Sequence, residues 1–424
     1  MNKLKKYRFC DLYSMSSGIS STKDQAGHGS PFLSFSTAFN NYFLPEELTD
    51  LMATSNKEKE TYSIKNGDIF LTRTSEVIDE LAMSCVAIQD YPNAAFSGFL
   101  KRLRPTQRNI TYPKFMAFYL RSPMFRKTMT NNAVMTLRAS LNEAIFSYLD
   151  LLLPDFDEQV KAGDLLFLLN QKIELNNRIN AELEAMAKTL YDYWFVQFDF
   201  PDANGHPYKT SGGKMVYNTT LKREIPEGWE DASLVDIAVF TNGIACQKYR
   251  PDENESFYKV IKIREFSSGL DDKSELVSQT IPEKVIVNDG DILFSWSATL
   301  EVKLWAGGIG GLNQHIFKVT SDNYPRSFYY FELLKYLEHF KMVAELRKTT
   351  MGHITKDHLV SSRISLPPEK LINKLDTKLE PILEKIVSNN RQNQTLVQLR
   401  DWLLPMLMNG QVTVNLTEKD NQNG

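Results

Sequence analysis

The side chains in this sequence with the clearest chemical potential are basic. Lys101, Arg102, Arg104 and Arg108 lie close together in the stretch FLKRLRPTQR, with no acidic residue among them. Such a cluster could neutralise the phosphates of a nucleic acid, although a solvated cluster on an ordinary surface has the same pattern. The formal net charge of the chain is -3, so overall electrostatics does not favour a nucleic-acid partner. Both interpretations of the cluster therefore stay open.

Motifs that would support catalysis are missing from the sequence. There is no GxxxxGK[ST] phosphate loop, no NPPY-like or DPPY-like motif and no glycine-rich cofactor loop of the adenine methyltransferase kind. The glycine run WAGGIGG at residues 305–311 precedes the strand-like HIFKV and is interpreted as a loop. His353 and His358 are poorly spaced for metal ligation from one helix face. We therefore expect a binding or scaffolding protein without a metal site.

The cysteines and the N-terminal residues indicate the cellular compartment of the protein. Cys10, Cys85 and Cys246 lie far apart, which is typical of buried thiols in a reducing compartment and not of a disulfide framework. The start MNKLKKYRFCDLYS is basic but lacks the apolar stretch of a signal peptide. No apolar run approaches the length that spans a bilayer. These features predict a cytoplasmic protein without a membrane segment.

The sequence contains an internal duplication. NNRIN at residues 176–180 recurs as NNRQN at residues 389–393, which is 213 positions later. The same offset pairs apolar residues on both sides of these runs: Leu153 with Leu366, Leu166 with Leu379, Leu169 with Ile382, Ile173 with Ile386, Leu183 with Leu396 and Leu190 with Leu403. Farther upstream, SIKNGDIFLTRTS resembles VIVNDGDILFSWS, and SSGIS resembles TNGIA. The chain is therefore two copies of one unit, each followed by a helix.

Composition and periodicity divide the chain into six segments. Short β-type runs mixed with a helical stretch predict an α+β fold for each copy of the unit. Leu and Ile at helical spacing predict a long spacer helix after each copy. The predicted segments are a first domain at 1–152, a central helix at 153–198, a linker at 199–224, a second domain at 225–365, a C-terminal helix at 366–410 and a polar tail at 411–424.

The two long helices are predicted to pack against each other in antiparallel orientation. Their apolar residues alternate at spacings of three and four, as in a coiled coil. A unit of roughly 150 residues is about 35 to 40 Å across, whereas a helix of about 40 residues is on the order of 60 Å long. The second domain can therefore join the end of one helix to the start of the other directly only if the helices are antiparallel. We expect two domains separated by the helix pair, with pseudo-two-fold symmetry.

Four asparagines occupy seam positions near the midpoints of these helices: Asn176, Asn180, Asn389 and Asn393. Antiparallel helices meet at their midpoints, so these side chains are predicted to face each other. A buried asparagine penalises every register in which it faces leucine. We therefore predict that this layer sets the register of the helix pair. Solvent-facing asparagines at a local fray are the alternative.

This layout resembles the specificity subunit of Type I restriction-modification enzymes. The resemblance covers essentially the whole chain, and the segments that carry it are LYDYWFVQFDFPDANGHPYKTSGGKMV followed by IPEGW, NGDIF, DGDIL, GLNQHIFKV, SLPP at residues 365–368, and LRDWLLPMLMNGQV. Two departures concern boundaries. The first domain begins with KLKKYRFCDLYS and not with a PxGW-like entry, and LLLPDFDEQ fits the family's helix start better than SLPPEKLI.

The resemblance implies a subunit without catalytic activity of its own. Each domain would be a target-recognition domain that reads one half of a bipartite, asymmetric site on double-stranded DNA, and the helix pair would space the halves. Methyltransferase subunits, two in number, are expected to clasp the helices, and restriction-translocase subunits to join them. No cofactor is expected in this chain, because S-adenosylmethionine, ATP and magnesium belong to the partner chains.

The resemblance also suggests contact residues of three kinds. Candidates for phosphate contact are Lys101, Arg102, Arg104, Arg108, Arg347 and Lys348. Candidates for reading base edges are Arg73, Ser75, Arg138, Ser295 and Trp296, although the arginines fit an ordinary surface and the tryptophan fits a core. Candidates for methyltransferase contact are Tyr191, Trp194, Phe195, Trp402, Leu403 and Leu404, for which packing within the chain is the alternative.

Two other functions compete with this interpretation. A coiled-coil scaffold that binds DNA without sequence preference would share the helix pair, but it predicts an ATP-binding head for which the sequence has no motif. A stand-alone nuclease or methyltransferase would need the catalytic motifs that are missing. Sequence-specific binding would exclude the scaffold, and DNA modification by the purified chain alone would revive the enzyme.

Overall fold

The computed structural model describes residues 4–75, 77, 80–132, 134–135, 139–140, 143–297, 299–346 and 354–414. The chain divides into two compact units. Unit 1 comprises Met1–Lys172 together with Leu396–Gly424, and unit 2 comprises Ile173–Thr395. Both units combine helices with β-sheets, so the α+β prediction is confirmed.

Helices are interspersed among the strands along the described chain. The α-helices are α1 (Phe9–Leu12), α2 (Phe35–Asn40), α3 (Asn56–Thr61), α4 (Pro113–Tyr119), α5 (Pro123–Asn132), α6 (Glu143–Tyr148), α7 (Phe156–Tyr191), α8 (Leu234–Ile237), α9 (Ile263–Ser268), α10 (Arg326–Leu346), α11 (Lys356–Ser361) and α12 (Glu369–Met408). A π-helical turn, Asp192–Val196, follows α7 directly.

The strands of unit 1 are β1 (Lys5–Arg8), β2 (Tyr13–Ser17), β3 (Ala26–Leu33), β4 (Leu51–Met52), β5 (Ile69–Thr72), β6 (Thr74–Ser75), β7 (Ser84–Val86), β8 (Ala95–Phe96), β9 (Leu100–Pro105), β10 (Val134–Met135), β11 (Ala139–Ser140) and β12 (Asp150–Leu153). Those of unit 2 are β13 (Met215–Asn218), β14 (Arg223–Pro226), β15 (Glu230–Ser233), β16 (Val239–Asn242), β17 (Phe257–Ile261), β18 (Leu276–Ser278), β19 (Ile286–Val287), β20 (Ile292–Ser295), β21 (Glu301–Leu304), β22 (Gly310–Leu312), β23 (Ile316–Thr320) and β24 (Arg363–Leu366).

Unit 1 is built on an antiparallel sheet in the order β2-β9-β5-β7. A second sheet has the order β4-β3-β8, in which β3 and β8 are parallel. The last strand of the unit, β12, pairs with the first, β1, so the beginning and the end of the domain lie side by side. All four residues of β5 are buried because this strand has a neighbour on each side and apolar clusters on both faces.

Unit 2 repeats this topology. Its antiparallel sheet has the order β16-β23-β20-β21, its mixed sheet has the order β18-β17-β22-β19 with β17 and β22 parallel, and β15 pairs with β24 as β1 pairs with β12. NGDIF leads into β5 and DGDIL leads into β20, which occupy the same place in the two sheets. The duplication predicted from the sequence is therefore present in the strand order.

The long helices α7 and α12 contribute to the core of each unit. In unit 1, Ala162 and Leu166 of α7 share a cluster with Leu404 and Leu407 of α12. In unit 2, the same two helices are linked by hydrogen bonds from Asn176 to Asn393 and from Asn389 to Asn180. Residue numbers rise along one helix as they fall along the other, so the helices are antiparallel within unit 2.

The segment from 199 to 224, predicted to be a linker, is ordered. It contains β13, which forms a hairpin with β14. Phe200 stacks between Tyr208 and Trp229, with ring centroids 4.7 and 5.5 Å away. Glycine, proline and asparagine content predicted a linker at a domain boundary, but aromatic residues tie this segment to the core of unit 2. The start of the central helix also differs, because Leu153 belongs to β12 and α7 begins at Phe156.

Candidate nucleic-acid interface

Lys101 and Arg102, predicted to contact phosphates, are each only 8% exposed. Both lie on β9, an inner strand of the unit 1 sheet. The Nζ of Lys101 donates to the Ser17 Oγ at 2.7 Å, and an Nη of Arg102 donates to the backbone oxygen of Ser63 at 2.6 Å. Burial, followed by the nearby charge of Arg104, lowers the pKa of the Arg102 guanidinium. These cations hold the fold of unit 1 together, which differs from their predicted role.

Arg104 is likewise engaged within unit 1. Its Nε and Nη2 donate to the two carboxylate oxygens of Asp68 at 2.8 and 2.6 Å. Asp68 is fully buried, and it also accepts the backbone N–H of Lys65 at 2.7 Å, which closes the NGD turn before β5. The hydrogen bond with Asp68 raises the pKa of Arg104. Of the four clustered cations, Arg108 alone is exposed.

Arg73 is an exposed residue at the point where β5 ends. Its backbone N–H donates to the backbone oxygen of Phe99 at 2.9 Å, so the two residues adjoin at one end of the sheet. Phe99 is 66% exposed, which is unusual for so large an apolar side chain. The sequence interpretation missed Phe99, because no local pattern of residues marks it as exposed. The neighbouring candidate Ser75 lies in β6, opposite Ala139 of β11.

The equivalent turn of unit 2 is more enclosed. Ser295 is fully buried and its hydroxyl donates to the Ser297 backbone oxygen at 3.4 Å, so a base cannot reach it in this arrangement. The Trp296 Nε1 donates to the Asn242 Oδ1 at 3.2 Å, and its ring lies 5.7 Å from that of Phe317. Three remaining candidates, Arg138, Arg347 and Lys348, lie outside the described residues.

The four seam asparagines come together in unit 2, and all are at least nine-tenths buried. The Asn176 Nδ2 donates to the Asn393 Oδ1 at 2.8 Å, and the Asn389 Nδ2 donates to the Asn180 Oδ1 at 2.8 Å. Three further side chains join the layer that the sequence did not single out: Asn177, Asn390 and Gln392. The doubled asparagine that opens each run was the signal for Asn177 and Asn390. The solvent-facing alternative is therefore excluded.

Most of the apolar residues proposed for partner contact pack inside the chain instead. Tyr191, Trp194 and Phe195 are buried in the core of unit 2. The Tyr191 hydroxyl donates to the Glu332 Oε1 at 2.7 Å, and burial, followed by the Glu332 charge, raises the Tyr191 pKa. Tyr191 ends α7, and Trp194 and Phe195 lie buried in the π-helical turn that follows, which differs from their predicted role.

The C-terminal helix gives a mixed result. Leu404 is buried in the core of unit 1, and Leu403 packs partly against that core. Trp402 is 64% exposed and remains available to another chain. Self-packing, the alternative in the sequence interpretation, therefore describes every residue of this set except Trp402.

Neither a metal centre nor a membrane helix is found in the described parts of the chain. Within them, no three His, Cys, Asp or Glu side chains converge as metal ligands. The described helices include none that combines the length and the apolar character needed to cross a bilayer.

Two topologically equivalent α+β units, each with a following long helix, place this chain in the class of internally duplicated proteins. A family model described as the Type I restriction modification DNA specificity domain matches residues 13–185 and again residues 226–397. The chain belongs to this family of Type I restriction-modification specificity subunits.

Individual relatives agree with this assignment. The specificity subunit of the Type I restriction enzyme HindI from Haemophilus influenzae is 25% identical, over 90% of this chain and 94% of the relative. The MjaIX specificity subunit from Methanocaldococcus jannaschii is 26% identical over 62% of this chain, and the match spans 60% of that relative. The crystal structure of the S subunit of a Type I system from M. genitalium has the same fold, with a TM-score of 0.60, 11% identity and coverage of 98% of this chain and 97% of the other.

Proposed function

We propose that this chain is the non-catalytic specificity subunit of a Type I restriction-modification complex, in which it reads a bipartite, asymmetric site on double-stranded DNA. The observation that supports this proposal most strongly is the double match of the family model, once to each of the two topologically equivalent units. Two copies of one recognition unit, each with different surface residues, suit a DNA site made of two different halves.

Each unit would contact its own half-site, and phosphate contacts would position it while base-edge contacts supply the specificity. Arg73 and Phe99 are the best placed candidates for base contact in unit 1, since they adjoin and are exposed. A guanidinium suits the acceptor edge of guanine, and an aromatic ring suits the methyl group of thymine. Arg108 is an exposed cation suited to a phosphate.

The helix pair would carry the rest of the function. Antiparallel α7 and α12 would fix the length of the unread spacer between the half-sites, with the asparagine layer holding their register. Two methyltransferase subunits would dock on these helices, where Trp402 is an exposed anchor, and restriction-translocase subunits would join them. S-adenosylmethionine, ATP and magnesium would be bound by those partner chains.

Selection from a random duplex library tests this proposal. The chain would be purified with its methyltransferase subunit and used to enrich bound duplexes over several rounds. We expect two short motifs separated by a spacer of constant length and variable sequence. A scaffold that binds DNA without sequence preference would return no motif, and a single uninterrupted motif would contradict the two-reader arrangement.

A further inference from the structure

The edge of the main sheet in unit 1 is covered by the chain itself. Val86 of the edge strand β7 donates its N–H to the backbone oxygen of Tyr42 at 3.0 Å, and its own oxygen accepts the N–H of Leu44 at 3.0 Å. Phe43, between them, is paired in parallel with Val86. The segment 42–44 therefore adds a short extra strand to β7.

The side chains of this segment fill the space beside the edge. The Tyr42 ring lies 5.1 Å from the ring of Phe118, with the guanidinium of Arg121 4.8 Å away and that of Arg400 5.4 Å away. The Phe43 ring lies 4.9 Å from that of Phe167 on α7. An aromatic pair thus closes the groove between sheet and helices in unit 1.

The corresponding edge strand of unit 2 is β21, which ends its sheet as β7 does. Trp305 exchanges backbone hydrogen bonds with Gly290 and Asp291 on the β20 side of the strand. Successive residues of a strand direct their backbone groups to opposite sides, so Leu304 and Val302 direct theirs away from β20. No partner for these outward groups is found among the described residues. Unit 2 lacks, in the described chain, the cover that unit 1 supplies for itself.

A cavity of about 510 Å³ lies beside this open edge, entirely within unit 2. Phe331 of α10, which corresponds to Phe118 of unit 1 at the offset of 213, forms part of its wall. Leu334, Leu383 and Ile386 add apolar surface, and Ala185 of α7 leaves room. The groove that Tyr42 and Phe43 fill in unit 1 is thus open in unit 2.

The charges that line the cavity favour a ligand with a basic group. Lys188 is paired with Asp192, and the Lys303 Nζ donates to the Phe266 backbone oxygen at 2.9 Å, so both cations are engaged. The carboxylates of Glu184 and Glu301 also line the cavity, and neither belongs to an ion pair found among the described residues. Partial burial raises the pKa of the Glu184 carboxyl. A positive neighbour stabilises the charged form of such a group.

We propose that an extended segment of the methyltransferase subunit, carrying an aromatic side chain beside a basic one, adds to the edge of β21 and fills this cavity. Its backbone would bond with Leu304 and Val302, as segment 42–44 bonds with Val86, and its aromatic ring would lie against Phe331. Addition of a strand to an open edge is a common mode of peptide recognition. The identity of the partner rests on the proposed function.

Crosslinking identifies the segment that binds at β21 directly. A photoreactive amino acid would replace Lys303 in the full chain, co-expressed with the methyltransferase subunit, and crosslinked peptides would be identified by mass spectrometry. We expect one extended methyltransferase segment that contains adjacent aromatic and basic residues. The same probe at Leu276, on the edge strand β18, is the control and should not capture that segment. Crosslinks only to this chain, to a second copy of it, or to nothing would overturn the proposal.

A pair of substitutions on one helix measures the contribution of the cavity to binding. Ala185→Trp fills the cavity from its exposed helical wall, whereas Met186→Trp places the same side chain at the adjacent exposed position, outside the cavity. We expect Ala185→Trp to weaken methyltransferase binding by about tenfold or more, because it removes a buried aromatic anchor, and Met186→Trp to leave it within about twofold. Equal affinity of the two variants would overturn the proposal.

The two proposals fail in distinguishable ways. If the unmodified chain does not associate with the methyltransferase subunit at all, the proposed function is wrong. If it associates and yields a bipartite motif, but Ala185→Trp binds as Met186→Trp does, only the docking of a segment on β21 is wrong. Circular dichroism of both variants would verify that each is folded.

Discussion

Asn176 donates a hydrogen bond to Asn393 at 2.8 Å, and the duplicated counterpart of Asn176, Asn389, donates to Asn180 at the same distance. Asn393 and Asn180 are themselves counterparts. The internal duplication therefore relates one hydrogen bond to the other. This layer is self-complementary in one register only. A shift of either helix would leave buried amides facing leucine or isoleucine.

Asn176→Leu is expected to lower the free energy of unfolding by about 1–3 kcal/mol, because buried groups of Asn393 and Gln392 lose their hydrogen-bond donor. Chemical denaturation of the purified chain measures the change. Asn373→Leu, at an exposed position of α12, is the matched control and should change stability by less than about 0.5 kcal/mol. Equal effects of the two substitutions would contradict the account of the layer.

Replacement of Asn176, Asn180, Asn389 and Asn393 together by leucine is expected to loosen the register. An all-apolar seam stabilises several alignments nearly equally, whereas the asparagines penalise all but one. Chemical crosslinking with mass spectrometry should give one set of helix-to-helix links in the native chain and several shifted sets in the variant. A single, unchanged set in the variant would show that the layer does not select the register.

Asp68→Asn is expected to destabilise unit 1 by about 3 kcal/mol, because Arg104 and the Lys65 N–H lose a buried charged acceptor. Thermal unfolding followed by circular dichroism measures this effect. Asp50→Asn, at an exposed position of the same unit, serves as the comparison. Were Asp68→Asn as stable as the native chain, the Asp68–Arg104 pair would not hold the NGD turn.

Two tryptophans should respond in opposite ways to truncation. Trp194→Ala is expected to cost about 3–5 kcal/mol of stability, since Trp194 is buried in the core of unit 2. Trp402→Ala, at an exposed site, should leave stability almost unchanged but weaken methyltransferase binding, measured by isothermal titration calorimetry. Full binding by the folded Trp402→Ala variant would remove Trp402 from the proposed docking surface.

Acid should weaken the pairing of β15 with β24. The hydrogen bond from Arg363, then that from Asn218, lowers the Asp231 pKa below its usual 3.8. A carboxyl with a lowered folded pKa contributes stability above its unfolded pKa and loses that contribution as pH falls through the folded pKa. Asp231→Asn should therefore be less stable than the native chain near neutral pH, and the difference should shrink below pH 3.8. A difference independent of pH would contradict this role of the Asp231 charge.

The parts of the fold that the sequence could predict are those encoded by repetition and periodicity. The offset between NNRIN and NNRQN identified both units and both helices. Seam spacing predicted that the asparagines of the two helices face each other, and Asn176 does bond with Asn393. Within α12 the repeat was less informative, because Leu383 is buried whereas Ile382, which the offset pairs with Leu169, is only partly buried. Adjacent residues on an α-helix point about 100° apart, and packing against distant parts of the chain decides which of the two faces the seam.

Tertiary contacts decided the features that the sequence could not predict. Lys101, Arg102 and Arg104 read as a surface cluster, but their partners Ser17, Ser63 and Asp68 lie on distant parts of the chain. The segment 199–224 is packed on unit 2 because the Phe200 ring stacks on that of Trp229, which lies well beyond the segment in the sequence. Exposure of Phe99 likewise follows from its place at the end of a sheet, which no local pattern of residues encodes.

Methylome sequencing tests the central claim most directly. A host without its own Type I system would express the methyltransferase subunit with this chain, or the methyltransferase subunit alone. The account predicts one methylated motif, bipartite and asymmetric with a spacer of fixed length, that appears only when this chain is present. Absence of any such motif when both subunits are present and co-purify, or the same motif without this chain, would contradict its role as the specificity subunit.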